Sequence, residues 1–202
     1  MSLWRDHQPL VLASRSSSRR AMLEAAGIPI EVSIPKVDER AVEAAAGRRS
    51  PADVAALLAR EKAMDVARRK PRRLVVGADQ TLALGERRFD KPRDHAAARD
   101  QLMALAGTTH HLHSAVALAR DGEVLFEGID TASLAIRDLS GSFLDSYMDA
   151  AGDAVLESVG AYQLEKLGVH LFHRIDGDHF TILGLPLLKL LDFLRRTGSL
   201  TP

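Results

Sequence analysis

Apolar and polar positions alternate along this chain with two periods, and the switches between them lay out the elements. Residues 10–13 are a short apolar run that reads as a buried strand, and residues 19–26 read as a helix stopped by Gly27 and Pro29. Residues 30–34 alternate as a second strand, closed by Pro35. Ser50, Pro51 and Asp53 mark a helix start, with Ser50 as the cap, Pro51 at the first helical position and Asp53 in a capping-box role. That helix runs to about Arg69. Residues 74–78 form an apolar strand ending in the acid Asp79, with a hairpin-like segment around Gly85. Asp94 caps a helix through Ala106, with Ala98, Leu102 and Leu105 facing inward and Gly107 past its end. Residues 111–119 and 124–136 read as long antiparallel strands joined by the turn pair Asp121-Gly122. A short helix over 140–149, a strand over 169–175 and a turn at 176–178 follow, and a last helix opens at Pro186 and buries Leu187, Leu190, Leu191 and Leu194. The predicted fold class is therefore α/β, a single mixed twisted sheet flanked by helices, without repeats or low-complexity tracts.

One residue breaks its own pattern. Ala55, Ala59, Lys62 and Val66 share one helical stripe, so a charged amine sits among apolar neighbours. An unpartnered buried ammonium is costly. The stripe is therefore expected to face a cleft where Lys62 meets an anion.

Composition narrows the class. The 202 residues suit one domain, or two lobes sharing a sheet, and a 46% apolar content supplies a core. Lys and Arg together number 27, as do Asp and Glu, so no net field draws nucleic acid or an anionic membrane. Cysteine is absent, which excludes disulfides and thiolate metal sites and fits a reducing cytoplasm. Residues 1–8 carry no apolar core of a signal peptide, and no run reaches the roughly 18 apolar residues of a spanning helix. A soluble cytoplasmic protein is expected, with neither nucleic acid nor membrane as partner.

Several residues could carry chemistry. The run Ser14-Arg15-Ser16-Ser17-Ser18-Arg19-Arg20 follows a strand and opens a helix, so it is either a polar turn with surface arginines or a cradle for phosphate oxygens. It lacks the glycine and lysine spacing of a Walker loop. Asp79, at the carboxyl end of a strand, can ligate Mg²⁺, take a proton from water, or cap the next turn. Glu39, in a loop after Pro35, is a possible second oxygen ligand. Lys91 projects from a backbone stiffened by Pro92. His111 and His113 share one strand face with no acid or cysteine to complete a zinc set, so the histidines read as structural or surface groups. The basic run from Arg68 to Arg73 reads as a solvated helix end.

Together these residues resemble the Maf family of nucleoside triphosphate pyrophosphatases, relatives of the inosine triphosphate pyrophosphatases. The opening motif L-A-S-x-S-x-x-R stands as Leu12-Ala13-Ser14-Arg15-Ser16-Ser17-Ser18-Arg19, followed by Asp38-Glu39, Glu61-Lys62-Ala63, Gly77-Ala78-Asp79 and Lys91-Pro92. Gly160-Ala161-Tyr162 and Gly184-Leu185-Pro186-Leu187 are similar to its closing segments. The resemblance implies one Maf-like domain over residues 1–202, with two lobes and a central cleft. It also implies hydrolysis between the α and β phosphates to a monophosphate and pyrophosphate, with a divalent cation, Mg²⁺ or Mn²⁺, as cofactor. Ser14, Arg19, Lys62 and Lys91 would hold the triphosphate, Glu39 and Asp79 the metal, and Asp79 would accept the proton. A housecleaning role on non-standard nucleotides and a homodimer are implied as well.

Three positions bear on the base. Family members preferring dTTP and UTP carry a second arginine, a Thr or Ser, and a Gln where this chain has Ser18, Gln80 and Glu165. Gln80 and Glu165 instead resemble the branch acting on 7-methyl-GTP, although that branch has an aromatic residue where Ser18 stands. A carboxylate suits the N–H donors of a guanine edge, so a purine is expected. Asp90 replaces the family's usual glycine before Lys91. Action on dTTP or UTP, or a catalytically silent nucleotide-binding regulator, are the alternatives.

Overall fold

The computed structural model describes residues 3–202. Its strands are β1 (Leu10–Ala13), β2 (Ile30–Val32), β3 (Val75–Leu84), β4 (Arg87–Phe89), β5 (Thr109–Arg120), β6 (Glu123–Ile136) and β7 (Phe172–Asp176). Its helices are α1 (Ser17–Ala25), α2 (Glu39–Ala46), α3 (Pro51–Arg69), α4 (His95–Leu105), α5 (Gly141–Ala151), α6 (His179–Ile182) and α7 (Leu187–Arg196), with short 3₁₀ turns between residues 152 and 171. The seven strands form one mixed sheet in the order β2-β1-β3-β5-β6-β7, with β4 paired to β3. The fold class is thus the α/β sheet flanked by helices that the periodicity predicts.

The chain divides into two compact units. One holds the chain up to Gln80, Ser114–Asp130 and Asp178–Pro202; the other holds Thr81–His113 and Thr131–Gly177. In the first, β1 runs parallel to both β2 and β3, pairing Leu12 with Val32 and with Val76. The connection through α1 leads to β2 on one side of β1, and the return through α2 and α3 leads to β3 on the other. The carboxyl end of β1 is therefore a switch point, where α/β sheets open a crevice. Alternate residues of β1 feed opposite faces. Leu10 and Leu12 pack with Leu23 of α1 and with Leu190 and Leu194 of α7, while Val11 and Ala13 pack with Ala55, Ala59, Ala63 and Val66 of α3.

The second face is built from small residues because the helix lies very close to the sheet. A Cβ on Gly77 of β3 would stand 2.3 Å from the Ala59 carbonyl oxygen and 2.6 Å from the Ala63 nitrogen. Only glycine fits there. The α3 start is as expected: Ser50 Oγ accepts from the Asp53 backbone N–H at 3.2 Å, and Ser50 donates its hydroxyl to the Asp53 carboxylate at 2.7 Å.

In the second unit, Asp94 caps α4 by accepting from the Ala97 N–H at 2.7 Å, and Ala98, Leu102 and Leu105 are fully buried. His110 is also fully buried, with Nε2 2.7 Å from the Tyr162 hydroxyl. Burial depresses its pKa to about 4, with His111 adding to the shift.

Some elements differ from the pattern reading. β3 continues five residues beyond Asp79, because Leu82–Leu84 pair antiparallel with β4, so Asp79 lies inside a strand rather than at its end. Glu39 is not in a loop: it opens α2, which Asp38 caps by accepting from the Ala41 N–H at 3.1 Å. α1 begins two residues early, at Ser17, with Ser16 as its cap. β2 stops at Val32, β7 begins only at Phe172, and the expected strand start at Val169 is a 3₁₀ turn. α6 occupies the chain after the 176–178 turn, and Leu191 is half-buried rather than buried. The basic run after α3 is paired with acids: Arg69 with Asp65, and Lys70 and Arg73 with Glu31. The Asp121-Gly122 turn is as predicted, both residues having positive φ.

Two outcomes follow. Gly77→Ala should destabilise the protein by about 3 kcal/mol or more, since backbone atoms of α3 leave no room for a methyl, and urea denaturation measures it. His110 must be neutral to stay buried, so its folded pKa lies below its unfolded one. Its contribution to stability should then be constant above about pH 6.5 and fall by about 3 kcal/mol as the pH drops toward 4. His110→Gln, which keeps a partner for Tyr162 but does not titrate, should flatten that fall in denaturation measured across this range.

Candidate active site

Where β1 stops, its neighbour β3 carries on, and the residues just beyond the shared ladder face the switch point. Ala13 pairs with Gly77, so Ser14 follows the last paired residue of β1 and Asp79 stands two residues past that pairing on β3. Ser14 and Asp79 are both buried. The turn from β1 into α1 is held by hydroxyls. Ser14 Oγ accepts from the Ser16 N–H at 3.2 Å, and Ser16 Oγ accepts from the Arg19 N–H at 3.3 Å, which caps the helix.

Arg19 lies on the inner side of the first turn of α1, and its guanidinium is held at three points. Nη1 donates to the Ala78 carbonyl at 2.8 Å and to Ser14 Oγ at 3.3 Å, and Nε donates to the Gly184 carbonyl at 2.8 Å. Burial lowers its pKa, while Asp79 and Glu39 counter that shift. A guanidinium stays charged through such a change.

Lys62 resolves the misplaced charge on α3. The close contact at Gly77 brings the helix down onto β3, and the Lys62 amine reaches Asp79 Oδ1 at 2.6 Å and Glu39 Oε1 at 2.8 Å. The Lys62 and Asp79 side chains are 9% and 11% exposed and Glu39 is 50% exposed, so this is a buried pair with one arm open to solvent. Burial raises the Asp79 pKa above the ordinary carboxylate range. Lys62 and Arg19 pull against that shift, and Glu39 adds to it.

The candidate residues fall into two groups. Ser14, Arg19, Lys62, Asp79 and Glu39 converge within the first unit, with Ser18 half-buried on α1 and Gln80 half-buried next to Asp79. Lys91 and Glu165 belong to the second unit, where both are exposed. Asp90, beside Lys91, is exposed, and its carbonyl accepts from Gln101 at 2.8 Å.

Two groups escaped the sequence reading. One is the Gly184 carbonyl that holds Arg19. The other is the buried pair Ser114 and Thr181. A carbonyl leaves no mark in residue type, and a serine inside an apolar strand reads as a neutral alternation, so only the Gly-Leu-Pro-Leu motif hinted at the first. Glu39 carried an available signal, since Asp38 before an alanine-rich run is a helix start.

Among the described residues no three His, Cys, Asp or Glu side chains gather to hold a metal. What the site offers is two carboxylates that meet at one ammonium. That set suits Mg²⁺, which takes one or two carboxylates and completes its shell with water and substrate phosphates.

Fold and site together define an α/β protein with a cationic and acidic cluster at the switch point of its sheet, suited to a metal-bound polyanion. The profile of the family described as Maf-like protein matches residues 9–197, and the chain belongs to the Maf family. It is 56% identical over 195 residues to the nucleoside triphosphate pyrophosphatase of Bradyrhizobium diazoefficiens, covering 96% of each chain. It is 55% identical over 200 residues to the protein of that name from Rhodopseudomonas palustris, covering 99% of each. It is 51% identical over 189 residues to a 7-methyl-GTP pyrophosphatase of Brucella abortus, covering 93% of this chain and 95% of that one. The solved structure of a HAM1 protein from Coxiella burnetii covers 63% of this chain and 72% of its own at TM-score 0.40 and 18% identity, too low a similarity to bear on the site.

Lys62 pairs its one positive charge with both carboxylates that would hold a cation. Lys62→Met should therefore bind Mn²⁺ about tenfold more tightly than the parent in the absence of nucleotide, read by the loss of the free-ion electron paramagnetic resonance signal. Unchanged or weaker binding would show that these two acids do not hold the ion.

Proposed function

We propose that this Maf protein is a nucleoside triphosphate pyrophosphatase, cleaving between the α and β phosphates to release a nucleoside monophosphate and pyrophosphate. The observation that carries the reading is the buried Asp79–Lys62 pair beside Arg19, a raised carboxylate set among cations. The names of relatives above half identity agree with it. In this reading a water oxygen forms a bond to the α phosphorus as the bond from that phosphorus to the bridging oxygen breaks, and Asp79 takes the proton. A carboxylate whose pKa burial has raised is a stronger base than an ordinary one. Lys62 has three N–H donors, of which two go to carboxylates, so a third can meet a phosphate oxygen. Ser14 and Arg19 at the start of α1 add donors for the triphosphate. A divalent cation held by Asp79 and Glu39 would supply charge neutralisation on the phosphates and acidify bound water.

The finer assignments rest on the resemblance. Lys91 would add a further cation through its K-P motif. Glu165 would accept N–H groups of a purine edge, favouring a guanine-like or 7-methylated base, and the relative named for 7-methyl-GTP supports that preference. Cytoplasmic location and a homodimer belong to the same proposal. Among the described residues no helix is long and apolar enough to cross a membrane.

The test is a panel of canonical, deaminated and methylated triphosphates with Mg²⁺, scored for pyrophosphate against orthophosphate. Pyrophosphate with a purine preference is expected; orthophosphate, or binding without turnover, would overturn the reading. Asp79→Asn should keep nucleotide binding and lower kcat by about 10² or more. Asp79 works as a base only when ionised, so kcat/KM of the parent should fall along an acid limb as the pH drops. That limb should vanish in Asp79→Asn.

A further inference from the structure

Gln80 follows the proposed base on β3, and the N–H groups of its amide are already spent. Nε2 donates to Ser114 Oγ at 2.9 Å, to the Thr181 carbonyl at 3.1 Å and to the Ile182 carbonyl at 3.0 Å. Two N–H bonds shared among three acceptors leave no donor for a nucleobase. The surroundings are built for this role. Ser114 donates to the same Thr181 carbonyl at 2.7 Å, and both residues are fully buried. Asp178 caps the turn by accepting from the Thr181 N–H at 2.9 Å. Two residues after Ile182 comes Gly184, at φ 97°, whose carbonyl accepts from Arg19 Nε. A Cβ on Gly184 would lie 3.4 Å from Arg19 Nη2 and 3.6 Å from Gln80 Oε1, so all three residues meet at one spot.

We propose that Gln80 is a positioning residue for Arg19. By holding the carbonyls of Thr181 and Ile182 it fixes the segment that presents the Gly184 carbonyl, and it thereby sets the angle of the guanidinium toward the triphosphate. A partly buried amide making three hydrogen bonds has little freedom to rearrange for a ligand, because each abandoned acceptor is left unsatisfied.

The inference uses the pyrophosphatase reading for its kinetic arm and stands apart from it in its spectroscopic arm. Gln80→Met keeps side-chain length and loses every donor. It should lower kcat/KM by about tenfold or more. In an Arg19→Lys background, where the contact with Gly184 is already lost, the further fall should shrink to less than about threefold. In ¹⁵N spectra, the Arg19 Nε–H signal should be protected from solvent exchange in the parent and exchange at least about tenfold faster in Gln80→Met. Losses that multiply in the double variant, or an unmoved Arg19 signal, would each overturn the proposal. If the parent released no pyrophosphate, the functional reading would fail while the Arg19 signal still decided this one. Should Gln80→Met not fold, Ser114→Ala takes its place; it removes one acceptor and the Ser114–Thr181 bond, and an unchanged Arg19 exchange rate there would equally overturn the assignment.

Discussion

The site depends on how closely α3 approaches β3. Gly77 removes the one side chain that would hold the two apart, and the alanines at 55, 59, 63 and 67 let helix and strand lie nearly in backbone contact. Within that distance a lysine one residue before Ala63 reaches an acid two residues after Gly77. The packing that looks like core economy therefore also places the charges, and its small side chains serve both ends.

Burying those charges costs stability, and the arrangement offsets the cost in steps. Lys62 has two carboxylates, one nearly buried and one half exposed, so the cluster is neither a lone ammonium nor a sealed pair. Arg19 is fixed by two carbonyls and a hydroxyl rather than by an acid alone, which leaves its charge to act at a distance on Asp79 and Glu39. The result is an acid that burial makes more basic and that its cations keep ionisable. An isolated Asp of equal burial would stay protonated, and one paired in water would be a weak base.

Much of this was legible in the chain. The stripe holding Lys62, the cap at Ser50, the Asp121-Gly122 turn and the α4 face follow from local period and local hydrogen bonding, and the structure has them where the pattern puts them. The errors share one cause. The pattern ends β3 at Asp79, since an acid normally closes an apolar run, yet pairing with β4 carries the strand on to Leu84. Gly85 marks that hairpin, but a charge within the strand breaks the apolar period that would join it to the run before. The same holds for α2, whose residues include none that is buried, so its apolar signal is weak, and for α6, too short to show a period.

Gln80 shows where residue-by-residue reading stops. As a letter beside the acid, it invites a direct role at the base, because amides are good at reading edges. In place, its donors face Ser114 and two carbonyls more than one hundred positions away in the chain, and those carbonyls lie beside the one that holds Arg19. A position that differs between branches of a family can thus alter selectivity by moving a shared cation rather than by touching the base. What distinguishes the two is where the amide hydrogens point, and that is fixed by the fold of the closing segment around Gly184, not by the identity of residue 80.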